Sequence, residues 1–259
     1  MTLILKETDG LVATLTMNHP ARRNALSEAM IGELTAALAE LHQQKVRAVI
    51  LRALPRCPVW SAGHDVSELP GTRRDPLGWS DPLRILIRAI EEFPAPILAL
   101  IEGGVWGGAC EVAMACDILI AAPDATFAIT PAKLGIPYNV TGLLTFLNRI
   151  SLAHLKEMAF TAQPIGVEKM ERIGVVNHVV AADEIEAFAN GMAREIAANA
   201  PLSIAVIKEE LRILAGAHSI PPDRFERVQG LRRIVYDSED YQEGIKAFLE
   251  KRHPVFTGK

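Results

Sequence analysis

No apolar run in the 259 residues approaches the ~20 that a helix needs to span a bilayer. The opening MTLILKETDG follows a few apolar residues with charges, unlike a signal peptide, so the expectation is a cytoplasmic protein with no membrane partner. Cysteine is scarce. Cys57, Cys110 and Cys116 form an odd set without metal-like spacing, which excludes a disulfide framework and reads as buried thiols kept reduced. Basic residues are never blocked together: 27 Lys and Arg are scattered against 31 Asp and Glu, for a net charge of -4, which speaks against a nucleic-acid surface. There is no G-x-G-x-x-G and no G-K-[ST], so neither a dinucleotide fold nor a P-loop is supported. No low-complexity tract and no repeat of fixed period is present.

What remains is an ordinary globular composition, 49% hydrophobic and 22% charged, in a length that one core can support with a helical appendage. The mean hydropathy of +0.18 is high. A large core explains it, and so do apolar subunit contacts.

Two short β segments flank Asp9-Gly10 between Leu3 and Met17, a hairpin signal. Ser27 is placed to cap a helix whose apolar positions Met30, Ile31, Leu34, Leu38 and Leu41 recur at helical spacing. Residues 47–53 read as a buried strand, followed by a loop rich in Gly, Pro and Arg. Helix 82–93 comes next, with Ile85, Leu86, Ala89 and Ile90 on one face and Pro94 and Pro96 ending it. Strand 97–101, a glycine segment, helix 109–115 and strand 117–121 complete an alternating pattern, which predicts an α/β layered fold with a ligand at the glycine-rich ends of the strands. Helices follow at 141–149, 151–160, 182–199, 202–216 and 222–235, with one short strand at 177–180 and Pro201, Pro221 and Pro222 marking helix starts. The division expected is a core of residues 1–197 and a helical region of residues 198–259.

Two segments could carry chemistry. In Gly103-Gly104-Val105-Trp106-Gly107-Gly108-Ala109-Cys110-Glu111, glycines between a strand and a helix admit a ligand to the backbone, and the first-turn N–H groups face it. The same glycines would also serve a tight turn between packed elements. In Trp60-Ser61-Ala62-Gly63-His64-Asp65-Val66, the loop after strand 47–53 can present a backbone N–H inward. His64 reads either as a general base or as a solvated loop residue. Two such N–H donors converging from separate loops would make an oxyanion hole, each donor contributing about 3 kcal/mol towards an enolate or tetrahedral anion. Cys110 lies beside Glu111, but no histidine is placed to activate it, so it reads as a buried thiol.

S-A-G-H-D-V (61–66) and E-G-G-V-W-G-G-A-C-E-V-A-M-A-C-D (102–117) resemble the two signature loops of the enoyl-CoA hydratase/isomerase (crotonase) family. N-A-L-S (24–27) and Y-Q-E-G-I-K-A-F-L-E-K-R (241–252) resemble further segments of it, in the right order across the chain. The resemblance implies a spiral of ββα turns with a helical C-terminal region used in assembly, as a trimer or a dimer of trimers. It implies an acyl-CoA substrate, no metal or redox cofactor, and an oxyanion hole from the peptide N–H groups of His64 and Gly108. It also implies that Ala62, Gly63, His64, Asp65 and Val66 line the CoA moiety, and that Lys251 meets a phosphate, with Arg22 and Arg23 as secondary candidates.

Hydration of an enoyl thioester needs two carboxylates around a water. Glu111 matches the family's first glutamate, whereas position 131, where the second is expected after Phe127, is Pro; Asp124 and Glu157 are no substitutes. The runs T-P-A-K-L-G-I-P-Y-N (130–139), E-L-P (68–70) and V-Y-D-S-E-D-Y-Q-E-G (235–244) resemble members of the family that decarboxylate malonyl-type thioesters, methylmalonyl-CoA to propionyl-CoA and CO2 foremost. Such a reaction needs an enolate hole and a neutral donor for the departing carboxylate, because a fixed cation would stabilise the ground state more than the transition state. Tyr138 and Thr130 are such donors. Glu111 reads either as a favourable charge on the helix dipole or as the proton source for the enolate. The alternatives are a hydratase or isomerase using Glu111 alone, an RNA-binding relative, or a silent assembly subunit. Helix 27–44 without Lys or Arg argues against RNA, and the retained Gly63 and Gly108 argue against silence.

Overall fold

Residues 2–69, 78–217 and 219–258 are described by a computed structural model. Most of the expected Gly-, Pro- and Arg-rich loop, with Pro70 of the E-L-P run, lies outside the described residues.

The chain opens as an antiparallel hairpin of β1 (Ile4–Asp9) and β2 (Val12–Met17). Asp9 belongs to the first strand and the two connecting residues are Gly10 and Leu11, with Gly10 at φ 60°. Helix α1 (Glu28–Gln43) begins at Ser27, whose hydroxyl accepts the Met30 N–H, and buries the expected stripe together with Ala37. Three successive units follow, each laying one strand on either of two sheets before a helix: β3 (Ala48–Ala53), β4 (Val59–Ser61) and α2 (Pro82–Glu91); β5 (Ile97–Ile101), β6 (Gly104–Trp106) and α3 (Gly108–Ala115); β7 (Ile118–Ala121), β8 (Thr126–Ala128) and, after a 3₁₀ turn at Pro131–Leu134, α4 (Val140–Leu147). Then come α5 (Leu152–Thr161), β9 (Ile165–Gly166), α6 (Val167–Arg172), β10 (His178–Val179), α7 (Ile185–Ala198), α8 (Pro201–Ala215), α9 (Pro222–Tyr236) and α10 (Glu239–Leu249).

The larger sheet runs β1-β2-β3-β5-β7-β10 and is parallel beyond the hairpin; the smaller runs β4-β6-β8-β9. This is the spiral of ββα turns that the resemblance implied. Alternation along β3 explains why all six of its residues are buried. Val49, Leu51 and Ala53 face the core under α1 and α2, while Ala48 and Ile50 face α7 through Ile185, Ala189 and Ala193.

Several details differ from the sequence reading. The stripe of α2 that enters the core is Leu83, Leu86, Ile87 and Ile90; Ile85 is exposed and Ala89 is half-buried. Both stripes obey helical spacing and share Leu86 and Ile90, and Arg84 decides between them by turning inward. The three-residue strands of the second sheet, α6 and α10 were not expected from periodicity.

The C-terminal helices return to the first part of the chain through backbone contact. A Cβ on Gly244 of α10 would lie 2.3 Å from the Leu134 carbonyl oxygen, and one on Gly135 would lie 2.8 Å from that of Asp240. Tyr236, Tyr241 and Ile136 form a small buried cluster there. No helix among the described residues is long and apolar enough to cross a membrane.

Candidate active site

The loop after β4 is held by the motif that precedes α1. Asn24 is fully buried, donates to the Trp60 carbonyl at 3.0 Å and accepts the His19 N–H at 2.9 Å. Ser61 donates its hydroxyl to the Asn24 carbonyl at 2.7 Å. Leu26 then forms a parallel bridge to the loop: its N–H meets the Gly63 carbonyl at 2.8 Å and its carbonyl accepts the Asp65 N–H at 3.4 Å. In that pattern the residue between, His64, turns its own N–H away from Leu26.

On that other side lies Gly108, the first residue of α3, whose N–H has no partner within its own helix. A Cβ on Gly63 would sit 2.7 Å from the Gly108 nitrogen, and a Cβ on Gly108 would sit 3.5 Å from the His64 nitrogen. The two loops therefore meet backbone to backbone, and glycine is required at Gly63 by its φ of 83° as well as by the contact. Two amide donors so close can serve one oxygen.

His64 and Gly108 both border a cavity of about 930 Å³. Ala62, Asp65, Val66, Thr130, Pro131, Tyr138, Glu111 and Lys251 line it too, as do Arg22 and Arg23. Gly63 forms the turn behind it. Asp65 caps the short turn 66–68 and receives Arg22 at 2.8 Å. Lys251 follows α10, at φ 55°, on the exposed rim.

Glu111 is 1% exposed and ion-paired with Arg84 of α2. Burial pushes its carboxyl up to about 7, against the lowering effect of Arg84, and the charges of Glu91 and Asp81 push the same way as burial. An acid in this range can exchange a proton near neutrality. Tyr138 stands next to it: a Cβ on Gly142 would meet the Tyr138 ring at 2.9 Å and a Glu111 oxygen at 3.1 Å. The Tyr138 hydroxyl donates to the Gly107 carbonyl at 3.2 Å, and burial followed by the Glu111 charge raises it well above the usual phenol value. Thr130 precedes the 131–134 turn with its hydroxyl oxygen 3.0 Å from where a Gly107 Cβ would be.

Three groups escaped the sequence reading. Arg84, in the first turn of α2, was not singled out from the sequence. Asp81, the cap of α2, lies 3.7 Å from the imidazole of His64. Leu83 covers Gly108, a Cβ there meeting its methyl carbon at 2.8 Å. Cys57, Cys110 and Cys116 are buried free thiols, and burial pushes Cys110 and Cys116 up to about 12. Among the described residues no cluster of His, Cys, Asp and Glu could hold a metal ion.

The model of the family described as "Enoyl-CoA hydratase/isomerase" matches residues 7–259. Methylmalonyl-CoA decarboxylase of Escherichia coli (strain K12) is 50% identical over 247 residues, 95% of each chain. A probable enoyl-CoA hydratase of Bacillus subtilis (strain 168) is 32% identical over 269 aligned positions, 100% of each chain. The structure of methylmalonyl-CoA decarboxylase in complex with 2-nitronate-propionyl-CoA superposes with a TM-score of 0.98 at 48% identity, covering 100% of this chain and 99% of that one.

Proposed function

The chain belongs to the enoyl-CoA hydratase/isomerase family, and on that premise we propose that it removes CO2 from methylmalonyl-CoA to give propionyl-CoA. The observation that carries this reading is the cavity that joins the His64 and Gly108 amides to Glu111, with Pro131 where hydration would need a second carboxylate.

In this reading the thioester oxygen accepts the His64 and Gly108 N–H groups. The bond between the α-carbon and the carboxylate breaks, its electron pair moves into the thioester as an enolate, and CO2 departs. Each amide contributes about 3 kcal/mol to the enolate-like transition state. Tyr138 and Thr130 are neutral donors that hold the carboxylate out of the thioester plane, so that the breaking bond overlaps the carbonyl π system. The Tyr138 hydroxyl has one proton, so it leaves the Gly107 carbonyl when it takes the substrate carboxylate. Arg84 is not assigned to the carboxylate, since its guanidinium is bonded to Glu111. Glu111 delivers its proton to the α-carbon and regains one from solvent, so that one proton is consumed for each CO2 released.

Ala62 to Val66 line the CoA arm, with Lys251, Arg22 and Arg23 towards its phosphates. No metal or redox group takes part in this scheme. We divide the chain at about residue 197 into a catalytic core and a helical region. Leu202, Leu214 and Ile234, at 81, 71 and 66% exposure, support assembly of that region with further copies of the chain, as a trimer or a dimer of trimers. Buried reduced thiols suit a cytoplasmic enzyme.

The test is incubation of the purified protein with methylmalonyl-CoA and, separately, with crotonyl-CoA, in EDTA and without biotin or nucleotide. Propionyl-CoA should accumulate from the first, with 3-hydroxybutyryl-CoA at most a trace from the second. The reverse outcome would restore the hydratase reading based on Glu111 alone.

A further inference from the structure

His64 enters the scheme above through its peptide N–H, and its imidazole has been given no task. The ring is only 19% exposed and lies against the same cavity. Its Nδ1 is 3.2 Å from the Asp65 carbonyl oxygen, and its Nε2 is 3.7 Å from Oδ2 of Asp81. A neutral imidazole has one donor and one acceptor nitrogen, whereas here both face oxygens that only accept. That surrounding suits the imidazolium, which donates from both.

Asp81 has the matching asymmetry. Its Oδ1 caps α2, accepting the Leu83 and Arg84 N–H groups at 2.9 and 3.4 Å. Asn or Ser would cap as well as Asp, so the cap does not require a buried charge. The second oxygen faces His64, and a carboxylate 6% exposed needs a partner of opposite charge.

We propose that Asp81 is a positioning residue of the decarboxylation site, holding the His64 side chain as an imidazolium whose charge lies beside the enolate oxygen and whose clamped ring fixes the adjoining peptide N–H. The inference rests on the reading of the reaction given above. The charged groups around the ring are Asp81 on α2, Glu68 on its own loop, and, beyond Asp81, the Arg84–Glu111 pair with Glu91; Asp65 meets the ring through its carbonyl, its carboxylate being held by Arg22. Burial works against the imidazolium, but the Asp81 contact and charge, Asp65 and Glu68 outweigh it and raise the ring above its ordinary value. Both the fixed amide and the added charge are lost when the ring is deprotonated, so the advantage exists at low pH and disappears as pH rises through that raised value.

The experiment uses the full-length Asp81→Asn variant, which keeps the cap and the shape while removing the charge. The His64 imidazole is followed by NMR titration in the absence of substrate, its signal identified by its disappearance in His64→Gln. It should titrate about one unit lower in Asp81→Asn than in the wild type, and kcat should fall about tenfold with KM changed less than about threefold. The alkaline limb of the kcat profile should move down with the titration, and Asp81→Glu should recover part of the loss. A His64 titration unchanged in Asp81→Asn, or a loss of kcat that follows only a lowered Tm with the pH limb in place, would overturn the proposal. Wild-type decarboxylation is the control: if it is absent, the reading of the reaction fails, and the substrate-free titration still decides the Asp81–His64 pair.

Discussion

Replacing Gly63 by Ala adds one carbon at the point where the two loops of the site touch. The new Cβ would lie 2.4 Å from the Trp106 carbonyl oxygen and 2.7 Å from the Gly108 nitrogen, where ordinary contact begins at 3.4 Å. The neighbours are main-chain atoms and cannot rotate aside, so the loops must part by about 1 Å, a displacement that can cost roughly a hundredfold in rate. If the displacement removes one amide from the enolate oxygen, about 2.7–4 kcal/mol of stabilisation goes with it, or a factor of about 10² to 10³ in kcat. The φ of 83° adds about 1–2 kcal/mol of backbone strain to the folded state. Gly10 separates the two effects. It has φ 60° but nothing within 4 Å of an added Cβ, and it lies in the β1–β2 connection away from the cavity. Gly10→Ala should therefore lower Tm without changing kcat, whereas Gly63→Ala should lose both. Propionyl-CoA formation at saturating substrate, with Tm measured on the same samples, makes the comparison. A Gly63→Ala enzyme that folds and turns over within threefold of wild type would refute the two-amide mechanism.

Tyr138→Phe keeps the edge-on ring packing on Phe146 and removes a donor to a charged group, so decarboxylation should drop by about 10- to 150-fold with the fold intact, as read by kcat and circular dichroism. Glu111→Gln should cost less in bond cleavage but should abolish any kcat dependence on a group titrating at about 7; a larger kcat loss than Tyr138→Phe would reassign the chemistry to Glu111. Because the Glu111 carboxyl lies above its ordinary value when folded, its contribution to stability is full below about 4.5 and falls as pH rises through about 7. Removing Arg84 as Arg84→Met should then destabilise by about 3–5 kcal/mol at pH 8 and less at pH 6, where Glu111 can be neutral.

Sequence periodicity and punctuation reached α1, β3, β5, α3 and, after residue 139, α4, α5, α7, α8 and α9 to within a few residues, because Pro201 and Pro222 open helices at the first position and Ser27 is a true cap. Strands of three residues, such as β4, β6 and β8, are shorter than any usable alternation, so the second sheet could not be read. The glycines of the two loops were legible as places of close approach, since few other roles demand so many in so short a run. Arg84 and Asp81 were not. Each is an ordinary helix-start residue until the chain brings Glu111 and His64 beside it from 27 and 17 positions away, and no local pattern encodes those encounters.

Helix α2 is ten residues long, about 15 Å, and both of its ends are fastened. Its start sets Leu83 on the cavity wall and brings Asp81 and Arg84 against His64 and Glu111. Past its last turn, the Lys208 ammonium of α8 donates to the carbonyls of Ile90 and Ala95, each at 3.2 Å, and pairs with Asp117 at 2.7 Å. A rod pinned in this way passes displacement from one end to the other instead of absorbing it in a loop. The apolar outer side of α8 is thus mechanically connected to the reacting groups by one lysine and one helix. Lys208 thus anchors one end of the helix whose other end meets His64 and Glu111, although it is not among the residues bordering the cavity.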